Sequence, residues 1–323
     1  MHDEFGNDVR PVFLLGVTQR TGTHLLDALL ALHPECCFVG PRPVHDYWTF
    51  EDHVLQDADL LERYVTGTRR RWAPPWHGDR TVDGELLEGI GAGLFRGFTA
   101  LGKPATGSIA LLRTPSVQNL ALVPKLFPEA QVIVVVRHPL AVAASGARSF
   151  GSAFRSSWPD QQTWLQQWRV GVRGLLAAYE ELGGRRLLSV RFEDLVEKRE
   201  MAVRMMLGFL DLDPDAYDFD AAAQIAVRGS SEQRHTKVNV DWQPSTAAAG
   251  FDPVQRGNGL PERQRRRLAA IAAPELRMLG YDPGVEVRMS DRVVAAASTR
   301  GLRLEQRILD GARPVWRRLR GTG

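Results

Sequence analysis

Cysteine is scarce: among 323 residues only Cys36 and Cys37 occur, side by side. Adjacent cysteines pair poorly, and no second pair completes a cluster. A disulfide scaffold and a cysteine-built metal site are therefore both excluded. The two read as small residues of a reduced core. Lysine is nearly as rare: four of the 41 basic residues are lysine (Lys103, Lys125, Lys198, Lys237) and the rest are arginine. With abundant Ala and Gly, this points to a GC-rich genome rather than to an activity. Long apolar runs are missing as well. Val132 to Val136 is a run of five, against about 20 for a membrane-spanning helix. The first residues carry Asp3, Glu4 and Asp8 with no basic start or apolar stretch, so no signal peptide is read and a cytoplasmic setting is expected. A composition 44% hydrophobic and 24% charged excludes a disordered chain. A net charge of +3 excludes a nucleic-acid-binding body by charge alone.

What is present is an alternation of strands and helices. Val12-Phe13-Leu14-Leu15 is a short apolar run closed by Gly16, then come leucines at 25, 26, 29, 30 and 32 at helical spacing, stopped by Pro34. Residues 36–50 read as an irregular loop and Glu51 to Tyr64 as a helix. Helices are expected over 83–101, Ser116 to Phe127 and Asp160 to Leu182. Strands are expected at Thr106 to Leu112, Gln131 to Val136 and Leu187 to Phe192. The 131–136 strand is apolar on both faces, as central parallel strands are. The fold class expected is α/β: a mainly parallel central sheet flanked by helices, with a helical C-terminal extension.

Two turns carry the chemistry. The first is Gly16-Val17-Thr18-Gln19-Arg20-Thr21-Gly22-Thr23-His24, between strand and helix. Backbone N–H groups and the helix dipole there favour an anion, Arg20 adds charge, and Thr21 and Thr23 add hydroxyls. No Gly-Lys-Ser/Thr follows, so this is not a Walker A loop. The second is Arg137-His138-Pro139 after the 131–136 strand, with Ser145 eight residues past Arg137. Ligands of open α/β sheets bind at this edge, and arginine grips phosphate oxygens well. Taken singly, each turn has an ordinary structural explanation; together they fit the two ends of one nucleotide.

At this point the chain resembles the sulfotransferases that use 3′-phosphoadenosine 5′-phosphosulfate (PAPS), in particular bacterial ones. Arg20-Thr21-Gly22-Thr23 matches their first signature, and Arg137 with Ser145 their second. Arg113-Thr114-Pro115 with Asn119-Leu120 and Phe127-Pro128, Arg191-Phe192-Glu193-Asp194-Leu195 and Leu260-Pro261-Glu262 resemble further family segments, so the resemblance spans roughly 12–282. It implies a P-loop-like nucleotide-binding fold, with a sulfotransferase-like α/β domain over 1–288 and a basic amphipathic helical extension over 289–323. Two departures stand out. Five residues separate Gly16 from Gly22 where the family usually has four, and Pro115 occupies the place of a catalytic histidine in cytosolic members.

The resemblance implies PAPS as co-substrate, no metal, and a hydroxylated acceptor: small molecule, carbohydrate or glycolipid. It places the 5′-phosphosulfate on Arg20, Thr21, Gly22, Thr23 and His24, and the 3′-phosphate on Arg137 and Ser145, with Arg256 as a late clamp. Arg20 is assigned to the leaving oxygen and Arg113 to the sulfuryl oxygens. The general base is Asp46 by position in the loop after the first helix, or His45 by intrinsic pKa, with His53 and Glu51 as further options. The alternatives are a P-loop nucleotide kinase, which would need the missing lysine, and a catalytically silent nucleotide-binding protein. Residues 289–320 read as a basic amphipathic helix, eight arginines against Asp291, Glu305 and Asp310 in 289–323. It either packs on the body or on a partner subunit, or gives peripheral contact with an anionic membrane.

Overall fold

The computed structural model of the chain describes residues 9–38, 81–102, 108–114, 117, 120–149, 158–227, 234–236, 239–241 and 252–296. A five-stranded sheet organises them. Its strands are β1 (Arg10–Gly16), β2 (Cys36–Phe38), β3 (Ile109–Thr114), β4 (Gln131–Val136) and β5 (Leu187–Arg191), in the spatial order β2-β3-β1-β4-β5. Every pairing is parallel. A parallel neighbour cannot be reached by a tight hairpin, so each link is a crossover, and the helices of those crossovers cover both faces.

The strand period of two decides which side chain faces which layer. In β1, Phe13 and Leu15 enter one core with Val132, Val134 and Val136 of β4, while Val12 and Leu14 enter the other with Ile133 and Val135. The first core is closed by α2 (Thr81–Gly102), α3 (Val123–Leu126), α4 (Pro139–Ser149), α5 (Trp158–Leu182) and, further along the chain, the helix Glu262–Met278. The second is closed by α1 (Thr23–Leu30), α6 (Phe192–Glu197), α7 (Arg199–Phe209) and α8 (Phe219–Gln224). We label Glu262–Met278 α9. A short antiparallel pair, β6 (Arg234–Thr236) and β7 (Asn239–Asp241), lies apart from the sheet.

Helix α5 is pinned by polar contacts at its solvent-shielded side. Glu275 of α9 is buried between Arg169 (2.9 Å) and Arg173 (2.6 Å). One α5 residue has to be glycine: a Cβ on Gly171 would lie 1.6 Å from the carbonyl oxygen of Val17, so the helix rests directly on the backbone leaving β1. Residues 289–296 form a further helix, which turns Asp291 and Ala295 inward and leaves Val293 exposed. Asp291 meets Arg266 of α9 at 3.3 Å.

Several expected elements shift. Residues 36–38, read as loop, form the edge strand β2, paired to β3. Three residues are too few for periodicity to register. Within the expected 116–127 helix, the described residues form a 3-10 turn, Leu120–Leu122, and the four residues of α3, where Pro124 sits in the first turn. β3 runs later than expected, and β5 ends at Arg191 because Phe192 opens α6. The helix expected over 51–64 lies outside the described residues.

Candidate functional site

The strand order reverses its winding at β1: the chain leaves β1 toward β2, but leaves β4 toward β5. The crevice at the C-terminal ends of β1 and β4 is therefore the switch point where open α/β sheets bind ligands. The two turns singled out above are the ones that flank it.

The first turn is held by backbone. Val17 N donates to Val135 O across 3.2 Å, keeping the start of the loop beside β4. Thr21 Oγ1 donates to Thr18 O at 2.8 Å. Arg20 has φ 70° and Gly22 has φ 112°, so the chain curls twice into the left-handed region before α1 begins. Such curls form concave anion-binding nests. Gly22 is required on two counts. Its φ disfavours any side chain, and an added Cβ would sit 2.3 Å from Phe192 Cδ2. Thr18, Thr21 and Thr23 are buried in the loop. Helix α1 starts at Gly22 with no side-chain cap and no acidic residue in its first turn. Its N-terminal partial positive charge is therefore directed at the crevice without local neutralisation.

The second turn is held by side chains. Arg137, 5% exposed, lies with its guanidinium carbon 4.2 Å from the centre of the Phe192 ring. Nη1 donates to the carbonyl of Arg20 at 3.0 Å, and Nη2 donates to the carbonyl of Pro253. Its own carbonyl accepts from Trp168 Nε1 at 2.9 Å. Arg137 Nε is buried without a protein partner. Burial pulls the guanidinium down to about 9; Glu193 pushes it back up, and Arg256 and Arg20 push it lower still. Three arginines thus converge on one crevice. Arg20 Nε also reaches Ser145 Oγ on α4 at 3.4 Å, so the turns are bonded through both the backbone and the side chain of Arg20. Arg256 lies on the 3-10 turn Gln255–Gly259, which packs against α4.

Behind Arg137 stands a network that the sequence flagged only as the Arg191–Leu195 similarity, with no role attached. Glu193 Oε1 accepts the His138 N–H at 2.9 Å and Oε2 accepts the Tyr281 hydroxyl at 2.8 Å. His138 Nδ1 accepts the Leu140 N–H (3.3 Å), and Nε2 faces the Asp282 carbonyl at 2.9 Å. Only a neutral ring protonated on Nε2 satisfies both contacts. Burial pushes its pKa down in the same sense. Phe192 joins the two turns: one edge lies against Gly22, and its face carries Arg137. Neither Phe192, Tyr281 nor Pro253 is legible as a site residue without the fold.

Toward α1, Arg113 at the end of β3 donates to Asp27 Oδ2 at 3.0 Å and meets His24 Nδ1 at 3.1 Å. Arg113 is thus tethered beside the first turn of α1. Asp46 and His45, with His53 and Glu51, lie outside the described residues. Among the described residues no group of three or more His, Cys, Asp or Glu is arranged to hold a metal ion, and no helix is long and apolar enough to cross a membrane.

Comparison with known proteins adds the following. A sulfotransferase from Mycobacterium avium is 15% identical, with a TM-score of 0.48, covering 87% of this chain and 79% of its own. The sulfotransferase domain of the Synechococcus PCC 7002 olefin synthase is 20% identical, with a TM-score of 0.41 and coverages of 79% and 97%. Mouse sulfotransferase SULT7A1, solved with PAP, is 14% identical, with a TM-score of 0.40 and coverages of 83% and 85%. No curated protein matches the sequence. The model of the sulfotransferase family matches residues 11–216, from β1 through the 3-10 turn that follows α7 and across both turns of the crevice. On that match the chain belongs to the sulfotransferase family.

Proposed function

We propose that this sulfotransferase takes PAPS as donor and transfers its sulfuryl group to a hydroxyl of a small-molecule, carbohydrate or glycolipid acceptor. The observation that carries the reading is the convergence of Arg20, Arg137 and Arg256 at the switch point, with Arg137 Nε buried and unpartnered. Arg137 is buried and the half-buried Arg20 and Arg256 bear on it with like charge, an arrangement that an anion in the crevice relieves. An unpaired buried donor is likewise a cost that a ligand oxygen removes. A nucleotide with phosphate at both the 3′ and the 5′ position meets both needs.

In this reading Arg137, Ser145 and Arg256 hold the 3′-phosphate. The first turn of α1 and the loop Thr21, Gly22, Thr23 and His24 hold the 5′ end. PAPS supplies an activated sulfuryl group on a phosphate leaving group. Arg20 stabilises the charge that develops on the bridging oxygen, and Arg113, tethered by Asp27, faces the sulfuryl oxygens. Asp46 takes the acceptor proton, with His45 next in line. The demands parallel phosphoryl transfer, where positioning and electrostatics supply most of the acceleration.

Calorimetry tests the donor. Adenosine 3′,5′-bisphosphate binds tightly, with or without magnesium, and ATP binds more weakly; preference for ATP with magnesium overturns the reading. For the base, Asp46→Ala abolishes turnover of PAPS in an acceptor screen and leaves adenosine 3′,5′-bisphosphate affinity intact. Wild-type rates in that variant remove the assignment.

A further inference from the structure

Helix α5 carries two buried polar atoms that no described residue satisfies. Gln161 is 2% exposed and its Oε1 has no hydrogen-bond partner; the buried Nε2 of Gln162, the next residue, has none either. Such atoms cost free energy in the empty protein, and a ligand that bonds them recovers it. Their place in the fold says which ligand. β5 runs parallel to β4, so the crossover through α5 starts at the C-terminal edge of the sheet, where the crevice lies, and finishes at the opposite edge. Its far end is anchored there: Arg186, just after α5, donates to the carbonyls of Phe127 and Ala130 ahead of β4. Earlier turns of the helix mark its course past the crevice. Gly171 touches Val17 at the exit of β1, and Trp168 bonds the carbonyl of Arg137 at the exit of β4. A Cβ on Gly146 would lie 2.4 Å from Trp164 Cδ2, so the Trp164 ring packs on α4 next to Ser145. Gln161 is seven residues before Trp168, on the same face of α5 and roughly 10 Å further along its axis. Helical side chains lean toward the N-terminus, which carries Gln161 to the outer side of the two turns.

We infer that Gln161 and Gln162 recognise the acceptor, and that the acceptor is a sugar. This rests on the PAPS reading and narrows its acceptor class. Oε1 of Gln161 needs a donor and Nε2 of Gln162 needs an acceptor. Consecutive helical residues point about 100° apart, so one hydroxyl does not meet both amides. The reacting hydroxyl is itself committed to the base and to the sulfuryl group. The acceptor must therefore bring further hydroxyls at separated positions. A hexose does so, whether free or as the headgroup of a glycolipid; a simple alcohol or phenol does not. Both amides are neutral, so they match hydroxyls and give no counter-charge to an acidic acceptor. The transfer forms the sugar O–S bond as the bond from sulfur to the 5′-phosphate oxygen breaks. The hydroxyl proton passes to the base, and adenosine 3′,5′-bisphosphate leaves.

Three measurements on the full chain separate this from a structural role for the two glutamines. The first is transfer from labelled PAPS to methyl and octyl glycosides of glucose, galactose and mannose, with 1-octanol as the simple alcohol. The octyl series reports a glycolipid headgroup and the methyl series a free sugar. At least one glycoside is expected to exceed 1-octanol in kcat/KM by about tenfold or more, the order of two added hydrogen bonds. In Gln161→Met and in Gln162→Met that advantage falls by about fivefold, through KM and not kcat. The second is affinity for adenosine 3′,5′-bisphosphate, which keeps its wild-type value in both variants. The third is the melting temperature without ligand, which holds or rises because an unmet amide gives way to an apolar chain of similar length. A glycoside advantage that survives both substitutions overturns the inference. A lower melting temperature in both variants shows that the amides were satisfied within the chain, and overturns it as well. So does a wild type that sulfates 1-octanol at least as well as every glycoside, or that sulfates none of these probes while still binding adenosine 3′,5′-bisphosphate. The donor reading survives all of these. A wild type that does not bind the bisphosphate removes the donor reading, and the inference with it.

Discussion

The two turns of the crevice meet through Arg20, but they keep their shapes by opposite means. The turn after β1 is a backbone device: two left-handed residues, a threonine bonded to a carbonyl three residues back, and a glycine closed in by an aromatic ring. The turn after β4 is a side-chain device: a buried arginine on Phe192, fixed to carbonyls from two distant segments, with a carboxylate, a phenol and a neutral imidazole behind it. A backbone device tolerates almost no substitution at its special positions, because the cost is steric and local. A side-chain device spreads its hold over several contacts, so the loss of one group leaves the others in place.

The sharpest break falls on the first turn. Gly22→Ala forces a Cβ into the Phe192 ring and into a disfavoured φ at once. Binding of adenosine 3′,5′-bisphosphate is expected to fall by more than about 100-fold, with a loss of roughly 2–4 kcal/mol in unfolding free energy by denaturant titration. Retention of wild-type affinity would mean that the loop has room this structure denies.

The second turn breaks differently. Arg137→Met removes a buried cation and replaces it with an apolar chain of similar reach. The desolvation cost of the cation disappears, but the Arg20 and Pro253 carbonyls lose its two hydrogen bonds, and the two effects oppose each other. The ligand-free protein is therefore expected to melt close to the wild-type temperature, while affinity for adenosine 3′,5′-bisphosphate drops by about 30- to 100-fold. A parallel fall in melting temperature and affinity would show that Arg137 holds the chain after all.

The smallest expected effect is a pH dependence confined to the second turn. The imidazole of His138 is held neutral, so its folded pKa lies below its unfolded value. The folded state then binds fewer protons than the unfolded one. The stability contributed is present above the unfolded value near 6.5 and is lost as pH falls below it, with a slope of up to about 1.4 kcal/mol per unit. Urea midpoints taken from neutral to mildly acidic pH are expected to fall more steeply in the wild type than in His138→Gln. Equal slopes would show that the ring accepts a proton without disturbing the Leu140 and Asp282 contacts.

The split between the turns also explains what could be read in advance. Residues 16–24 declare themselves because a backbone device needs glycine and hydroxyl residues at set places along one stretch of chain. Arg137 declares itself because β4 is apolar from Val132 to Val136 and the first polar residue after it has to be at its C-terminal edge, and Ser145 follows from its spacing to Arg137. Phe192, Glu193 and Tyr281 do not, because an aromatic, an acid and a phenol in those settings have many ordinary uses. The edge strand β2 escaped notice because three residues carry no usable period, and its hydrogen bonds come from β3, some 70 residues away.

Local sequence was thus enough to determine the alternation of strands and helices, the glycine-and-hydroxyl build of the first turn and the position of the second, since each depends on residues within a few positions of one another. Tertiary structure alone decided that the two turns share one crevice, that Phe192 stands between them, and that Glu193 bonds the backbone of His138. Strand order and the packing of α6 on β4 bring these groups together, and neither is written in any single segment of the chain.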